Sequence, residues 1–290
     1  MAIQLSQMLE TVLGEDRYPV DVDGLIYEYS KNFPDPVTKI RKVSLDGFEG
    51  MLRPSSKKQE WHILFNEAPA YVGRERFTVA HEFAHYLLDR TPLKKTINTE
   101  SERTNLEFHC NPMGQNLWDQ EEQQREQNAD TFASYLLMPI NDFRLQAADQ
   151  TIDLELFKYI ANRYGVSLTA AILKWIEFTD QLAAMIVSRD GFALWGRASS
   201  NALKKDIFIA SGMEIPENSH SQMNNGTKGK LLVVDPQSWP VSKRAKASHE
   251  MSLYSPRVEK TISIILFEDS GWVDFEEEEA SDSFDRFMKL

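Results

Sequence analysis

The chain opens on an amphipathic pattern. Leu5, Met8, Leu9, Val12 and Leu13 recur at helical spacing, which predicts one helix over residues 3–13 with Gly14 as its stop. Residues 19–30 repeat the pattern, with Val22, Leu25, Ile26 and Tyr29 on one face. The period then shortens. Residues 37–53 carry two strand-like runs broken by Asp46-Gly47, and residues 61–65 form a third strand candidate. A loop containing Pro69 and Gly73 leads into a helix from about Arg76 to Asp89. Residues 91–120 are polar and irregular, with Pro92, Pro112 and Gly114; long connections of this kind are often functional. A helix resumes near Gln120 and is stopped by Pro139.

Residues 141–178 are helical in pattern, with a turn at Tyr164-Gly165-Val166-Ser167. Near Leu182 the pattern changes to period two and to short apolar runs. Strands are expected at 185–187, 192–195, 231–234 and 262–266, with Asp190-Gly191 as a hairpin turn between the first two. Three parts follow: residues 1–140, a helical segment 141–180, and residues 181–290, an α/β domain with a mostly antiparallel sheet. Mixed helices and sheets make the chain α+β overall. Residues 274–285 are strongly acidic and read as a solvated edge or terminal helix.

Composition narrows the class. The 290 residues are 42% hydrophobic and 26% charged, the balance of a soluble globular protein with room for two or three cores. No apolar run approaches the roughly 20 residues needed to cross a bilayer. The N-terminus has no basic region or cleavage pattern of a signal peptide. Cys110 is the single cysteine, which excludes an internal disulfide and a four-thiolate zinc site and fits a cytoplasmic setting. A net charge of -12 argues against direct nucleic-acid binding.

The chemistry concentrates in His81-Glu82-Phe83-Ala84-His85. A spacing of four puts both imidazoles on one helix face, one turn apart, where they can share a metal ion. Glu82 lies beside them, able to act as the general base on water without being a ligand. Phe77, Val79, Ala80, Phe83, Ala84, Tyr86, Leu87 and Leu88 make the helix apolar on most sides, so it belongs in a core. Buried polar groups need partners, and a cation serves both histidines. On the next helix Glu126 supplies a third ligand, and Asp130, four residues on, can hold the second N–H of a ligand histidine. Glu121 and Glu122 compete with Glu126, but neither has an Asp four residues later. Zn²⁺ suits this donor set, and Mn²⁺ is the alternative.

The run from Arg76 to Leu88, together with Glu126-x-x-Ala129-Asp130-x-Phe132-Ala133-x-x-Leu136-Leu137-Met138-Pro139, resembles the ImmA/IrrE family of metallopeptidases. The resemblance covers about residues 1–140. It implies a zincin-like helical peptidase domain with a small sheet, zinc on His81, His85 and Glu126, and Glu82 as general base. It also implies a cytoplasmic endopeptidase that cleaves a helix-turn-helix repressor and switches on a stress or mobile-element response. By the same resemblance the order of parts is similar to the IrrE branch, with a helix-turn-helix-like segment and a C-terminal GAF-like sensor or docking domain. One departure stands out: His85 and Glu126 are 41 positions apart, and the connection contains His109 and Cys110. These are extra ligands, a cap over the site, or simply a strand or loop element, and the last reading is favoured.

Other features carry bland readings. The second helix of the helix-turn-helix-like segment offers only Lys174 as a cation, so the segment reads as structural or partner-docking. Tyr86 and Tyr135 are oxyanion candidates but read first as core aromatics. Trp195, Trp239 and Trp272 line either a ligand pocket or a core. Residues 224–230 form a turn, because they lack phosphate-loop spacing. The function expected is a zinc-dependent endopeptidase. The alternative is a non-catalytic protein that sequesters a repressor or antitoxin around a structural metal.

Overall fold

The computed structural model describes residues 1–67, 72–90, 108–110 (backbone), 120–148, 150–222 and 227–270. These fall into two compact units: residues 1–151 with 155–174, and residues 152–154 with 175–290.

In the first unit, α1 (Ala2–Leu13) ends at Gly14, whose φ of 58° terminates the helix as its position predicts. A short 3₁₀ turn, Gly14–Arg17, leads to α2 (Val22–Ser30). Asp21 caps α2 by accepting from the Gly24 N–H at 3.1 Å. The strands β1 (Val37–Val43), β2 (Gly50–Pro54) and β3 (Trp61–Asn66) fall where the alternation placed them. With β4 (Phe108–Cys110) they form a sheet of order β1-β3-β2-β4. β1 runs parallel to β3; β2 is antiparallel to both β3 and β4. Residues 91–107 and 111–119 lie outside the described residues, but 108–110 give His109 and Cys110 a backbone role as a strand.

Helix α3 (Val72–Leu88) packs on β2 and β3, and α4 (Gln120–Leu137) packs on α3. Ala80, Phe83, Ala84 and Tyr86 of α3 are fully buried, as are Ala129, Ala133, Leu136 and Leu137 of α4 and Leu52 and Ile63 of the sheet. Ala80 and Ala84 of α3 and Ala129 and Ala133 of α4 are small buried residues of the kind that permit close helix packing. The helix starts earlier than its sequence suggests. Gly73 lies within its first turn, because a Cβ there would meet the Val166 carbonyl carbon at 2.6 Å.

Segment 141–180 forms three helices, and its residues 141–151 and 155–174 fall in the first unit. These are α5 (Ile140–Ala147), α6 (Leu154–Tyr164) and α7 (Leu168–Phe178). Gly165 turns the chain with φ 61°, and Ser167 Oγ accepts from the Ala170 N–H at 3.1 Å to cap α7. Three polar anchors explain the attachment. Arg76 of α3 donates to the Gly165 carbonyl at 3.1 Å and to the Val20 carbonyl at 2.7 Å. Arg163 makes two 2.8 Å bonds to the Asp142 carboxylate, and Tyr164 donates to the same group at 2.6 Å. Lys174, fully buried, donates to Ser134 at 3.0 Å and sits 3.7 Å from the Tyr135 ring centre. The one cation of the helix-turn-helix-like second helix therefore faces inward.

The second unit is built on a five-stranded, wholly antiparallel sheet of order β6-β5-β9-β8-β7. Its strands are β5 (Leu182–Arg189), β6 (Phe192–Ala198), β7 (Leu232–Val233), β8 (Ala245–Ser255) and β9 (Lys260–Asp269), with a one-turn helix α8 (Ser200–Leu203) after β6. Asp190 (φ 51°) and Gly191 (φ 82°) make the tight hairpin turn that Asp-Gly predicts. β7 is shorter than the run 231–234 suggests. β8 has no counterpart among the expected strands, because Ala-Lys-Ala-Ser-His-Glu-Met-Ser carries little apolar signal. It takes its place through Glu250, fully buried, which accepts from Ser219 Oγ (2.8 Å), the His220 N–H (3.2 Å), the Ser221 N–H (3.3 Å) and Trp239 Nε1 (3.1 Å). Trp239 is thus a core residue, whereas Trp195 is 38% exposed. Trp272 and the acidic run 274–285 lie outside the described residues, as do Pro69 and residues 223–226.

Candidate metal centre

The site is assembled from two helices and one strand. On α3, His81 and His85 stack one turn apart, with ring centres 4.8 Å from each other. On α4, Glu126 reaches across to both: Oε2 lies 3.2 Å from His81 Nε2 and Oε1 lies 3.3 Å from His85 Nε2. The two Nε2 atoms face each other at 3.1 Å. One ligand atom from each residue falls within 4.8 Å of the others, which makes this trio a group able to hold a metal ion. His81 and His85 are buried, while the Glu126 side chain is 39% exposed, so the trio opens toward solvent on the α4 side.

Behind each imidazole stands a carboxylate. Asp130 Oδ1 is 2.9 Å from His81 Nδ1, the place its i+4 spacing from Glu126 suggests. Asp89 Oδ2 is 2.7 Å from His85 Nδ1. With both Nδ1 atoms donating to carboxylates, loss of the Nε2 protons leaves both Nε2 atoms presenting lone pairs to one point. Two lone pairs at 3.1 Å call for a proton or a cation between them, and an N, N, O donor set with carboxylate-backed imidazoles suits Zn²⁺ or Mn²⁺. Asp89 went unrecognised in the sequence although it continues the i+4 ladder from His81 through His85.

Electrostatics follow the geometry. Burial favours a neutral His81 ring, but its bonds to Asp130 and Glu126 and the charge of Glu82 outweigh this and raise it to about 10. His85 is pushed up to about 9 against the same burial by Asp89, Glu126 and Glu82. Burial raises Glu126, and the two histidines overcome it and lower the carboxyl to about 2.

Glu82 is fully buried, one residue along α3 from His81. β2 makes room for it: a Cβ on Gly50 would collide with Glu82 Oε1 and would lie 2.6 Å from Thr78 Cγ2. The strand position opposite the carboxylate thus requires glycine for close approach. Gly50 is a site residue that hydropathy does not reveal. Tyr86 is no oxyanion donor, since its hydroxyl is spent on the Asp35 carbonyl at 3.1 Å in the core. Glu121 and Glu122, exposed on the first turn of α4, are not in the trio.

A mixed α+β domain with an HExxH helix and a convergent glutamate on the next helix is the framework of a metallopeptidase. Comparison places it more narrowly: residues 40–175 match the family Peptidase_M78, described as the IrrE N-terminal-like domain. Residues 40–175 are thus similar to an IrrE-like M78 peptidase domain. The match runs through α7, beyond residue 140 where the sequence resemblance ends, in keeping with the packing of that helix pair into the first unit. No curated protein matches the chain. Among solved structures, a Mycobacterium tuberculosis transcriptional regulator is similar at 12% identity and a TM-score of 0.48, over 93% of this chain and 87% of that one. No helix among the described residues is long and apolar enough to cross a membrane.

Proposed function

We propose that this chain is a metal-dependent endopeptidase, with His81, His85 and Glu126 as ligands and Glu82 as general base. The observation that carries the reading is the convergence of the three donors beside a buried Glu82 for which Gly50 leaves the space. When bound there, Zn²⁺, or Mn²⁺ in its place, supplies Lewis acidity that activates water and polarises a peptide carbonyl. Glu82 takes the proton from water and returns it to the leaving amine. Asp89 and Asp130 hold the imidazoles in orientation.

The substrate in this reading is a helix-turn-helix transcriptional repressor, cleaved in the cytoplasm to release a stress or mobile-element response, as the sequence resemblance implies. Residues 181–290 act as a GAF-like sensor or docking module in the same scheme. The inward-facing Lys174 supports a structural rather than a DNA-binding role for α6 and α7.

The test pairs metal analysis with cleavage of the repressor encoded beside this gene. One equivalent of metal, with fragments produced by wild type and produced at least about 10²-fold more slowly by Glu82→Gln that still holds its metal, is the expected result. Repressor binding without fragments under Zn²⁺ and Mn²⁺ would replace this reading with a sequestering protein around a structural metal.

A further inference from the structure

The two histidines are held by carboxylates of different origin. Asp130 comes from α4, the helix that also brings Glu126, and its side chain is 61% exposed. Asp89 follows α3 itself, and its side chain is 13% exposed. Its backbone N–H donates to the His85 carbonyl at 2.8 Å, so the chain is still wound as helix where the carboxylate meets the ring.

A carboxylate is unfavourable at this place. The C-terminal end of a helix carries the negative end of the dipole, where Lys, Arg or His is preferred. Asp89 is also buried, which calls for a donor. The His85 Nδ1–H answers both requirements. The neighbouring residue supplies the charge that the helix end prefers: Arg90 Nη1 donates to the Tyr86 carbonyl at 3.0 Å and to the Leu87 carbonyl at 3.5 Å. Its guanidinium stacks 3.8 Å from the Phe33 ring centre and 4.8 Å from that of Tyr86. Arg90 Nε lies 3.8 Å from Asp35 Oδ1, while Asp35 Oδ2 accepts from Trp61 Nε1 at 2.7 Å. The end of α3 is thereby fastened to the segment that opens the sheet.

We infer that Asp89 is a positioning residue that fixes the His85 ring with Nδ1–H toward itself and Nε2 toward Glu126 and His81, and that Arg90, clamped to Asp35 and the Phe33 ring, keeps Asp89 in place. The inference rests on the metal-centre reading for its consequence but not for its geometry. It divides the site into a half preformed on α3 and a half, Glu126 with Asp130, delivered by α4. Asp130 is then the secondary support, because its side chain is largely exposed whereas that of Asp89 is nearly buried.

The experiment uses the full chain as Asp89→Asn, Asp89→Glu and Asp130→Asn beside wild type, with circular dichroism confirming folding. Two readouts are taken. The first is the His85 Nδ1–H proton in ¹H–¹⁵N spectra of metal-free protein: a hydrogen-bonded imidazole proton exchanges slowly and lies downfield. It is expected in wild type, Asp89→Glu and Asp130→Asn, and lost in Asp89→Asn. The second is Zn²⁺ affinity by chelator competition, expected to fall about 10–100-fold in Asp89→Asn and to be restored in part by Asp89→Glu. An unchanged His85 proton in folded Asp89→Asn overturns the inference, as does Zn²⁺ affinity equal to that of a zinc-binding wild type. Failure of wild type to bind Zn²⁺ or Mn²⁺ sinks the metal-centre reading instead, and the proton readout still decides the role of Asp89.

Discussion

His81 Nε2 and His85 Nε2 face each other across 3.1 Å, with the Glu126 carboxylate spanning both. In metal-free protein the Glu126 carboxylate holds the two rings, which are raised to about 10 and about 9 while Glu126 is lowered to about 2. Zn²⁺ uptake at pH 7 is therefore expected to release protons, and affinity is expected to rise with pH. Calorimetry in buffers of different ionisation enthalpy measures the number released; a count near zero would contradict the arrangement. The linkage has a definite sign. The raised histidines contribute stability to the metal-free chain that is full below their ordinary value of 6.5 and is lost as pH rises through 9–10. The lowered Glu126 contributes stability present above its ordinary 4.5 and lost as pH falls toward 2.

Gly50→Ala places a methyl group against Glu82 and Thr78. The carboxylate must move, while His81, His85 and Glu126 stay in place. We expect metal content to be retained and kcat to fall about 10²-fold, the scale of a misplacement near 1 Å. Glu82→Gln should lose about 10²–10⁴ in kcat, again with metal retained. Steady-state kinetics on a cleaved substrate, with metal analysis of the same samples, measures both. Loss of metal from Gly50→Ala would show that β2 supports the ligands and not the base.

Asp142→Asn tests the bond between α5 and α6. Burial pushes the Asp142 carboxyl up, and the bonds from Arg163 and Tyr164 more than reverse this, so it lies below its ordinary value of 3.8. Its contribution is present above that value and is lost as pH falls through the lowered one. The substitution leaves the Arg163 guanidinium without its buried counter-charge and should cost about 3 kcal/mol at neutral pH. It should also flatten the acid limb of the stability curve below about pH 4. Denaturant titrations at pH 3, 5 and 7 supply the comparison.

Glu250→Ala removes the acceptor for Trp239, Ser219 and two backbone N–H groups in the second unit. A cost of about 3 kcal/mol or more is expected, with a red shift of Trp239 fluorescence. Glu250→Gln keeps two of the acceptor sites and should cost less. Metal content should be the same in both, because Glu250 and the trio lie in different units.

The metal helix was legible because its chemistry and its packing share one code. The apolar residues around His81 and His85 predict burial, and burial makes the histidines and Glu82 conspicuous. Glu126 stood out because Asp130 follows at helical spacing. Residues whose role depends on distant partners were not legible. Gly50 matters only because Glu82 lies against it, and β8 is a strand whose buried carboxylate is satisfied from residues 219–221 and 239. Lys174 is the single cation of the second helix in a helix-turn-helix-like pattern, and Ser134 and the Tyr135 ring, some 40 positions earlier, draw it inside.

Phe77, His81, His85 and Asp89 follow one another at intervals of four along α3 and its end, and the site depends on that phase. Each residue added or removed turns everything after it by roughly 100° about the helix axis. A single-codon deletion between Glu82 and Ala84 would carry His85 and Asp89 away from His81 while leaving every side chain of the site present. Variation among homologues of this helix should therefore consist of replacements, with insertions and deletions confined to the stretches on either side of it.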